Sequence, residues 1–245
     1  MLFFKKKPIL KELVSSGYVD IHSHVLPGID DGSKDVETSE VLLNEMGNIG
    51  FSKVITTPHT LPGVWDNSRG DIENAFTELN SVKGALCSKY ELRVASEYFL
   101  DNVFLTKILD KGNLLTLKDN YLLVELSYLN PPIGLKDIIF AVQMGGYQPV
   151  LAHPERYLYY HRDKGMYDEL KAAGCMFQLN LLSSVGYYGK GVSEIADYLL
   201  ESDMIDYTGS DIHHIRHVKS FGSKVVIKSI KPLQEAMERN SFFGS

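Results

Sequence analysis

Cysteine is scarce in this chain, which has two cysteines among 245 residues. Cys87 and Cys175 form neither a disulfide framework nor a CxxC pair, so we expect a reducing compartment. No apolar run approaches the ~20 residues that a membrane-spanning helix needs. The amino terminus also lacks the apolar core of a signal peptide. These absences predict a soluble cytoplasmic protein with no stable membrane insertion.

Clustered positive charge is also missing. The formal net charge is −6, and no run of basic residues is longer than Lys5-Lys6-Lys7. Nucleic-acid binding needs a clustered basic face, so we expect no nucleic-acid partner. Any phosphate chemistry would have to draw its positive charge from metal ions or from a few arginines.

The chain does contain a regular alternation of apolar segments and turns. Segments at roughly βαβ spacing predict seven strands, over 18–24, 53–59, 91–99, 121–128, 148–154, 176–182 and 204–211. Apolar periodicity predicts helices between them, over 35–49, 134–146 and 192–203. This α/β pattern favours a parallel sheet closed into a (β/α) barrel, with a doubly wound open sheet as the alternative. No GxGxxG or Walker motif follows any of these strands, which weakens a nucleotide-binding interpretation.

No linker or abrupt change of composition divides the chain. We therefore expect a single barrel domain over residues 18–245. Residues 1–17 form an amino-terminal extension with no assigned role.

Six of the seven predicted strands end in residue types that bind metals. These residues are His22, His24, His59, Glu97, Glu125, His153, Asp211 and His213. The carboxyl ends of the strands of a parallel barrel share one rim, where catalytic residues collect. Any one of these side chains alone is more typical of a hydrogen-bonded rim residue than of a ligand. Their conjunction favours a metal site.

The spacing and charge of these residues support the same interpretation. His22 and His24 are two apart, so both point to one side of a regular strand. Four carboxylates aimed at one small volume would repel one another unless cations lay between them, namely those of Asp31, Glu97, Glu125 and Asp211. Mixed nitrogen and oxygen ligands favour Zn, Mn or Fe over Ca or Mg, and the lack of cysteine ligands argues against a structural zinc site.

Several short motifs then resemble a known family. In chain order they are "DIHSH…GIDDG", "TTPH", "ASEYF", "VELS", "AHPERY" and "GSDIHH". Together they resemble the polymerase-and-histidinol-phosphatase (PHP) superfamily, and within it the bacterial capsular-polysaccharide tyrosine phosphatases. The resemblance runs from about Tyr18 to about His217. It implies a distorted, TIM-like (β/α)7 barrel with a trinuclear metal site at the carboxyl ends of the strands.

The resemblance also implies roles for individual residues. One metal would be held by His22, His24, Glu97 and Asp211, a second by Glu97, Glu125 and His153, and a third by Asp31, His59 and His213. Asp30 remains an alternative to Asp31. Arg156 matches a phosphate-binding arginine, and Arg216 lies where the family has a second one, with less secure spacing. Glu125 stands where histidinol phosphatases usually present histidine, which favours the tyrosine phosphatase branch.

The implied function is metal-dependent hydrolysis of phosphotyrosine, with metal-activated hydroxide attacking phosphorus. The implied substrate is the tail of a membrane-associated bacterial tyrosine kinase that regulates capsular or exopolysaccharide synthesis. Three divalent ions are expected, with Mn first and Fe or Zn as alternatives. The competing hypotheses are a small-molecule phosphomonoesterase, such as a histidinol-phosphate phosphatase, and a non-catalytic metal-binding regulator. The acidic balance fits poorly with a DNA exonuclease.

The chain also contains a rival phosphatase motif and several aromatic residues near the predicted rim. Cys87 and Arg93 have the C-x5-R spacing of cysteine-based phosphatases, but the residues between them include no glycine and one glutamate, so we expect no such role. Trp65 lies in a loop predicted to overhang the site, where it either stacks on the substrate ring or packs down the loop. Asp20 is expected to orient a ligand histidine. The tyrosines of 156–160 and 185–191 are expected near the same rim.

Overall fold

The computed structural model describes residues 7–82, 91–109 and 113–244. The described residues contain nine strands, all paired in parallel. These are β1 (Tyr18–Asp20), β2 (Phe51–Thr56), β3 (His59–Thr60), β4 (Leu92–Val94), β5 (Glu97–Phe99), β6 (Tyr121–Glu125), β7 (Gln148–Ala152), β8 (Met176–Asn180) and β9 (Tyr207–Gly209). They form one sheet in the order β1-β2-β4 and another in the order β3-β5-β6-β7-β8-β9.

Two of the seven predicted strands are each broken in two. The predicted strand 53–59 becomes β2 and β3, and the predicted strand 91–99 becomes β4 and β5. Pro58 has no N–H to donate, and the flanking Thr57 N–H donates to the Ser23 carbonyl (2.7 Å). The Pro58 carbonyl accepts from the Glu97 N–H (3.1 Å), so the pairing continues past the break. Counted as continuous chain segments, the strands number seven.

The first and last strands also meet. A parallel bridge joins Ser23 to Ile212. The Asp211 N–H donates to the His22 carbonyl (2.7 Å), and the His24 N–H donates to the Ile212 carbonyl (2.9 Å). The fold is therefore a distorted α/β barrel, as predicted.

Helices connect the strands and cover the sheets. Their bounds are α1 (Val36–Ile49), α2 (Arg69–Val82), α3 (Asn102–Leu109), α4 (Leu135–Met144), α5 (Gly165–Ala172), α6 (Lys190–Glu201), α7 (Ile215–Ser220) and α8 (Ile230–Arg239). Helix α1 begins where the Asp35 carboxylate accepts a hydrogen bond from the Thr38 N–H (2.8 Å), and it ends at Gly50, whose φ is +123°. The prediction of a helix over 35–49 is confirmed. Among the described residues, no helix combines the length and apolar content that a membrane crossing requires.

The carboxy-terminal segment closes the amino end of the barrel. Phe243 is fully buried among barrel-interior side chains that include Val19 and Leu123. The Asn240 amide donates to the Val19 carbonyl (2.8 Å) and the Thr208 carbonyl (2.7 Å), which ties β1 to β9. On the outside, Leu10 is fully buried in the apolar layer between helices and sheet, so part of the amino-terminal extension also packs on the barrel.

Candidate metal centre

The barrel brings all nine predicted metal-binding side chains to one rim. They come from the chain after β1, from the starts of β3 and β5, from the end of β6, and from the residues that follow β7 and β9. His153 and Asp211 have positive φ values of 35° and 50°, a strained conformation for residues other than glycine. His153 follows β7 directly and Asp211 lies two residues after β9, and both side chains face the centre.

Glu97 lies in the middle of this cluster. Its Oε2 atom is 3.1 Å from His59 Nδ1 and 3.2 Å from His22 Nε2, and its Oε1 atom is 3.3 Å from His153 Nε2. Even so, neither Glu97 oxygen has a hydrogen-bond partner among the described residues, although the side chain is buried. Buried carboxylate oxygens normally have partners. Orphaned oxygens surrounded by imidazole nitrogens therefore fit divalent metal ions.

The candidate ligand atoms fall into four overlapping groups, in each of which all atoms lie within 4.8 Å of one another. The groups are His24, Asp31, His59 and His213; His22, His24 and Asp211; His22, Glu97 and His153; and His59, Glu97 and Glu125. The first group reproduces the predicted third site with His24 added. Glu97 occurs in two groups, as expected of a bridging ligand. The resemblance implies that Glu125 and His153 share a metal, and His153 Nε2 lies 3.7 Å from Glu125 Oε1. His59 is an additional neighbour of Glu125, with Nδ1 3.6 Å from Oε2.

The two adjacent aspartates do different things. Asp30 Oδ2 lies 2.8 Å from His24 Nδ1 and also accepts the His59 N–H (3.1 Å). Asp31 Oδ1 faces the cluster, 3.4 Å from His213 Nε2. Asp31 is therefore the better ligand candidate, and Asp30 holds a histidine in place. The following Gly32 has no room for a side chain, because a Cβ there would lie 2.1 Å from the His24 carbonyl oxygen.

The sequence analysis missed two residues of the sixth predicted strand. Gln178 Oε1 lies 2.7 Å from His22 Nδ1, and the Asn180 amide donates to Asp211 Oδ2 (2.8 Å). They are two apart on β8, so the alternation that paired His22 with His24 would have found them.

Asp20 was expected to orient a histidine, and this was wrong. Its carboxylate accepts instead from the Ser210 N–H (2.8 Å) and the Ser210 hydroxyl (2.6 Å).

Arg156 is the positive group of the site. Its Nη1 donates to Asp211 Oδ2 (2.7 Å). Its guanidinium lies between two tyrosine rings, 4.8 Å from the Tyr128 centroid and 4.2 Å from the Tyr188 centroid. Burial alone would lower the pKa of Arg156, but Tyr128 and Asp211 outweigh it and raise that pKa. Arg216, by contrast, is exposed on α7.

The pKa values of the cluster shift in both directions. Burial alone would lower the pKa of His24, but Asp30 and Glu97 outweigh it and raise that pKa. Burial, together with Glu97 and Asp211, raises the pKa of Glu125 well above its usual range. Burial raises the pKa of Glu97, but His22 and His59 outweigh it and hold that pKa well below its usual range. Burial lowers the pKa of His153 to about 4, helped by Arg156. A histidine with so low a pKa is neutral near pH 7, which is the form that binds metals.

A pocket of about 260 Å³ opens over this centre. Its lining consists of Asp31, His59, Glu125, Tyr128, Arg156, Tyr188, Asp211, His213, His214 and His217. Arg216 is not among these residues, so the geometry does not support its predicted contact with phosphate. A larger cavity of about 770 Å³ lies elsewhere, beside Lys164, Tyr198 and Val226, and contains none of these side chains.

Trp65, the rim tyrosines and Arg93 occupy three different surroundings. The Trp65 ring stacks on His59, with centroids 4.9 Å apart, so it packs against the centre. Tyr188 lies at the rim as expected, whereas Tyr157 is fully buried beneath it. Arg93 donates to the carbonyls of Phe243 and Leu117 (2.9 Å each), at the opposite end of the barrel. Cys87 lies outside the described residues.

Comparison with known sequences gives a consistent result. A family model described as "Capsular polysaccharide synthesis, CpsB/CapC" matches residues 18–224. The chain is 29% identical over 205 residues to the tyrosine-protein phosphatase YwqE of Bacillus subtilis (strain 168), with 81% of this chain and 78% of the relative covered. It is 30% identical over 207 residues to the tyrosine-protein phosphatase CpsB of Streptococcus pneumoniae, with 80% and 83% covered.

Comparison with solved structures agrees. The fold is similar to a crystal structure described among those of YwqE from Bacillus subtilis and CpsB from Streptococcus pneumoniae, "unique metal-dependent tyrosine phosphatases". The TM-score is 0.77 with 27% identity, and the match covers 90% of this chain and 92% of that chain. An amidohydrolase from Mycoplasma synoviae matches with a TM-score of 0.51 and 14% identity, over 100% of this chain and 88% of that chain. That second likeness concerns the fold alone.

Proposed function

Because the chain belongs to the CpsB/CapC family of capsular polysaccharide synthesis proteins, we propose that it is a metal-dependent protein-tyrosine phosphatase. The observation that carries the proposal is the buried Glu97 carboxylate, which lies among histidine nitrogens without a hydrogen bond of its own. An arginine stands directly beside this cluster, where a phosphoryl group would enter. The family relatives named as tyrosine phosphatases support the same reaction.

The proposed cofactors are three divalent metal ions, with manganese first and iron or zinc as alternatives. Their ligands would be His22, His24, Asp31, His59, Glu97, Glu125, His153, Asp211 and His213. When bound, such ions neutralise phosphoryl oxygens and make water a nucleophile near neutral pH. The orphaned Glu97 oxygens, which lie among histidine nitrogens, support this assignment.

The chain's own residues would bind and orient the phosphoryl group. The Arg156 guanidinium offers further N–H donors beyond the one that binds Asp211, and these suit the oxygens of a phosphate. Asp211 holds the guanidinium in place, and Asn180 holds Asp211 in turn. The rings of Tyr128 and Tyr188 both pack against the guanidinium and restrict its movement. Because these contacts exist before substrate arrives, little reorganisation is needed during the reaction.

The proposed substrate is phosphotyrosine in the tail of a membrane-associated bacterial tyrosine kinase that regulates capsular or exopolysaccharide synthesis. The family description supports the link to capsule synthesis, and the names of the relatives support phosphotyrosine as the target. The kinase tail is what the resemblance of the motifs implies. A cytoplasmic location belongs to the same proposal, since the kinase tail would have to be reached there.

The test is phosphatase activity of the purified protein on a phosphotyrosine peptide, with Mn²⁺, with a chelator, and as the variant Cys87→Ser. We expect activity that requires metal and survives Cys87→Ser. Activity that ignores the chelator and disappears with Cys87 would overturn the site assignment. Histidinol phosphate is assayed in parallel, because turnover of it without turnover of the peptide would move the function to a small-molecule phosphomonoesterase. Bound metal without turnover of any phosphoester would indicate a regulator.

A further inference from the structure

The rim beside the pocket exposes several large apolar side chains. After β6 the chain enters the loop 126–134, in which Tyr128 lines the pocket and stacks on Arg156. The next apolar residues, Leu129 and Ile133, are 87% and 95% exposed. Leu158, on a neighbouring turn, is 63% exposed. We call Tyr128, Leu129, Ile133 and Leu158 the apolar rim.

Hydrogen bonds hold the two segments of the apolar rim together. The Leu126 N–H donates to the Tyr157 hydroxyl (2.9 Å), and the Tyr159 hydroxyl donates to the Ser127 carbonyl (2.9 Å). Pro131 and Pro132 restrict the backbone of the loop further. The chain beside Tyr128 is therefore tied to the chain beside Leu158, which keeps the two parts of the apolar rim next to each other.

A groove continues from the loop of the apolar rim. It has a volume of about 320 Å³. Its apolar lining includes Pro131, Pro132, Leu135, Tyr160, Met166 and Leu170. The surface beside the pocket thus offers both an apolar platform and a recess that can receive an apolar side chain.

The chemistry of the loop favours a peptide over a membrane surface. Residues 126–135 read LSYLNPPIGL and contain no charged side chain. Binding to an anionic membrane relies on clustered lysine and arginine, which this loop lacks. Tyr128 belongs both to the rim and to the lining of the pocket, so residues next to a bound phosphotyrosine would lie beside the rim.

We propose that the apolar rim binds apolar residues that flank the phosphotyrosine of a protein substrate. The proposal rests on the proposed phosphatase function and narrows its substrate class to phosphopeptides with leucine-, isoleucine- or valine-type side chains near the phosphotyrosine. Free phosphotyrosine has no flanking residues, so it lacks the apolar groups that the rim would bind. The apolar rim therefore contributes to substrate selection, and the residues of the metal centre carry out the reaction.

The test compares three substrates on the metal-loaded protein: free phosphotyrosine, a phosphotyrosine peptide with leucine and isoleucine flanks, and the same peptide with serine flanks. The wild-type protein should prefer the apolar peptide over the serine peptide by about tenfold in kcat/KM, the size expected when one or two apolar groups find a pocket. The double variant Leu129→Ser, Ile133→Ser should lose that preference. The matched control is Phe140→Ser, Met144→Ser, which changes two exposed apolar residues on α4 and should keep it.

The outcomes separate this proposal from the proposed function. If the wild-type protein hydrolyses free phosphotyrosine and both peptides equally well, the apolar rim has no such role although the phosphatase function stands. If it hydrolyses no phosphotyrosine compound, the function itself fails. An equal loss on all three substrates in the rim variant would also overturn the proposal, as would a change of oligomeric state or vesicle binding without a change in peptide preference. The preference of the wild-type protein for the apolar peptide is measured without any variant. The proposal therefore stays testable even if the double variant does not fold.

Discussion

At the scale of single residues, two histidines of the centre are oriented through the ring nitrogen that faces away from it. Gln178 binds Nδ1 of His22, and Asp30 binds Nδ1 of His24. Both contacts leave Nε2 directed at Glu97. Partners of this kind fix the tautomer of a ligand histidine and raise its basicity. Metal affinity should thus depend on residues that never touch the metal.

Asp30→Asn tests this dependence. An amide keeps the volume of the side chain but has one acceptor oxygen for three donors, the His24 ring, the His59 N–H and the Gly32 N–H. We expect metal affinity to fall ~10–100-fold, the usual effect of losing such a partner. Competition with a metal-binding dye measures the affinity. Asp66→Asn is the control, because Asp66 also accepts a backbone N–H (2.8 Å, from Gly63) but is exposed. Equal affinities of the two variants would contradict the orienting role.

Arg156→Lys tests the phosphate-binding role of the arginine. Lysine keeps the positive charge but loses the planar fork and its stacking between Tyr128 and Tyr188. We expect kcat on a phosphotyrosine peptide to fall ~10²–10³-fold, the range seen when one preorganised donor is removed from an active site. The exposed Arg162→Lys makes the same chemical change away from the site. A loss no larger than that of Arg162→Lys would show that Arg156 acts through charge alone.

The sequence identified the side chains of the centre but not all their partners. Histidines and carboxylates at strand ends stand out because a core strand rarely contains them. Gln178 and Asn180 were not identified because neutral amides are not typical metal ligands, although their alternation along one strand was a usable signal. The sequence also could not decide whether Asp30 or Asp31 is the metal ligand. That choice depends on the turn at Gly32, where the chain passes close to the His24 carbonyl oxygen.

At the scale of elements, the carboxy-terminal segment holds the amino end of the barrel closed. It lies beyond residues 18–224, which the family model matches. Asn240 binds the backbone of both β1 and β9, and Arg93 and Lys118 donate to the carbonyls of Phe243 and Phe242. The segment therefore stabilises the barrel from the end opposite to the metal centre.

Phe243→Ala should reveal this contribution. Phe243 is fully buried in the barrel interior, whereas its neighbour Phe242 is 38% exposed. Truncating a buried phenylalanine typically costs ~3–5 kcal/mol, since the lost transfer free energy adds to that of the cavity. Phe242→Ala removes the same atoms from a partly exposed position, so its cost should be clearly smaller. Urea unfolding at a fixed metal concentration gives the free energy of unfolding of each variant. Equal costs would mean that Phe243 does not close the barrel interior.

The order of the elements could be predicted from the sequence, but the breaks within them could not. Regular spacing of apolar runs gave the barrel, and Asp35 with Gly50 marked both ends of α1. The division of the strand at Pro58 was not predicted, because a proline near a strand end is compatible with an edge strand. The break depends on which strand the backbone pairs with after Thr57, and the tertiary structure decides that pairing.

At the scale of the whole molecule, the centre concentrates negative charge inside the barrel. Glu97, Glu125 and Asp211 are all buried there, and burial with mutual repulsion raises the pKa of Glu125 well above its usual range. A folded protein without metal must tolerate this repulsion. The unfolded chain does not hold these groups together. Metal ions that bind only the folded form should therefore stabilise it.

Removal of metal should lower the melting temperature of the whole barrel. A ligand present at 100 times its dissociation constant stabilises the folded state by ~2.7 kcal/mol. For a domain of this size that corresponds to about 5–10 °C. Differential scanning calorimetry with Mn²⁺, with a chelator, and with Mn²⁺ restored measures the shift. Glu97→Gln should show a smaller shift, because the amide cannot bind cations as the carboxylate does and also removes part of the repulsion. A melting temperature that ignores the chelator in the wild-type protein would mean that the fold does not depend on its metal centre.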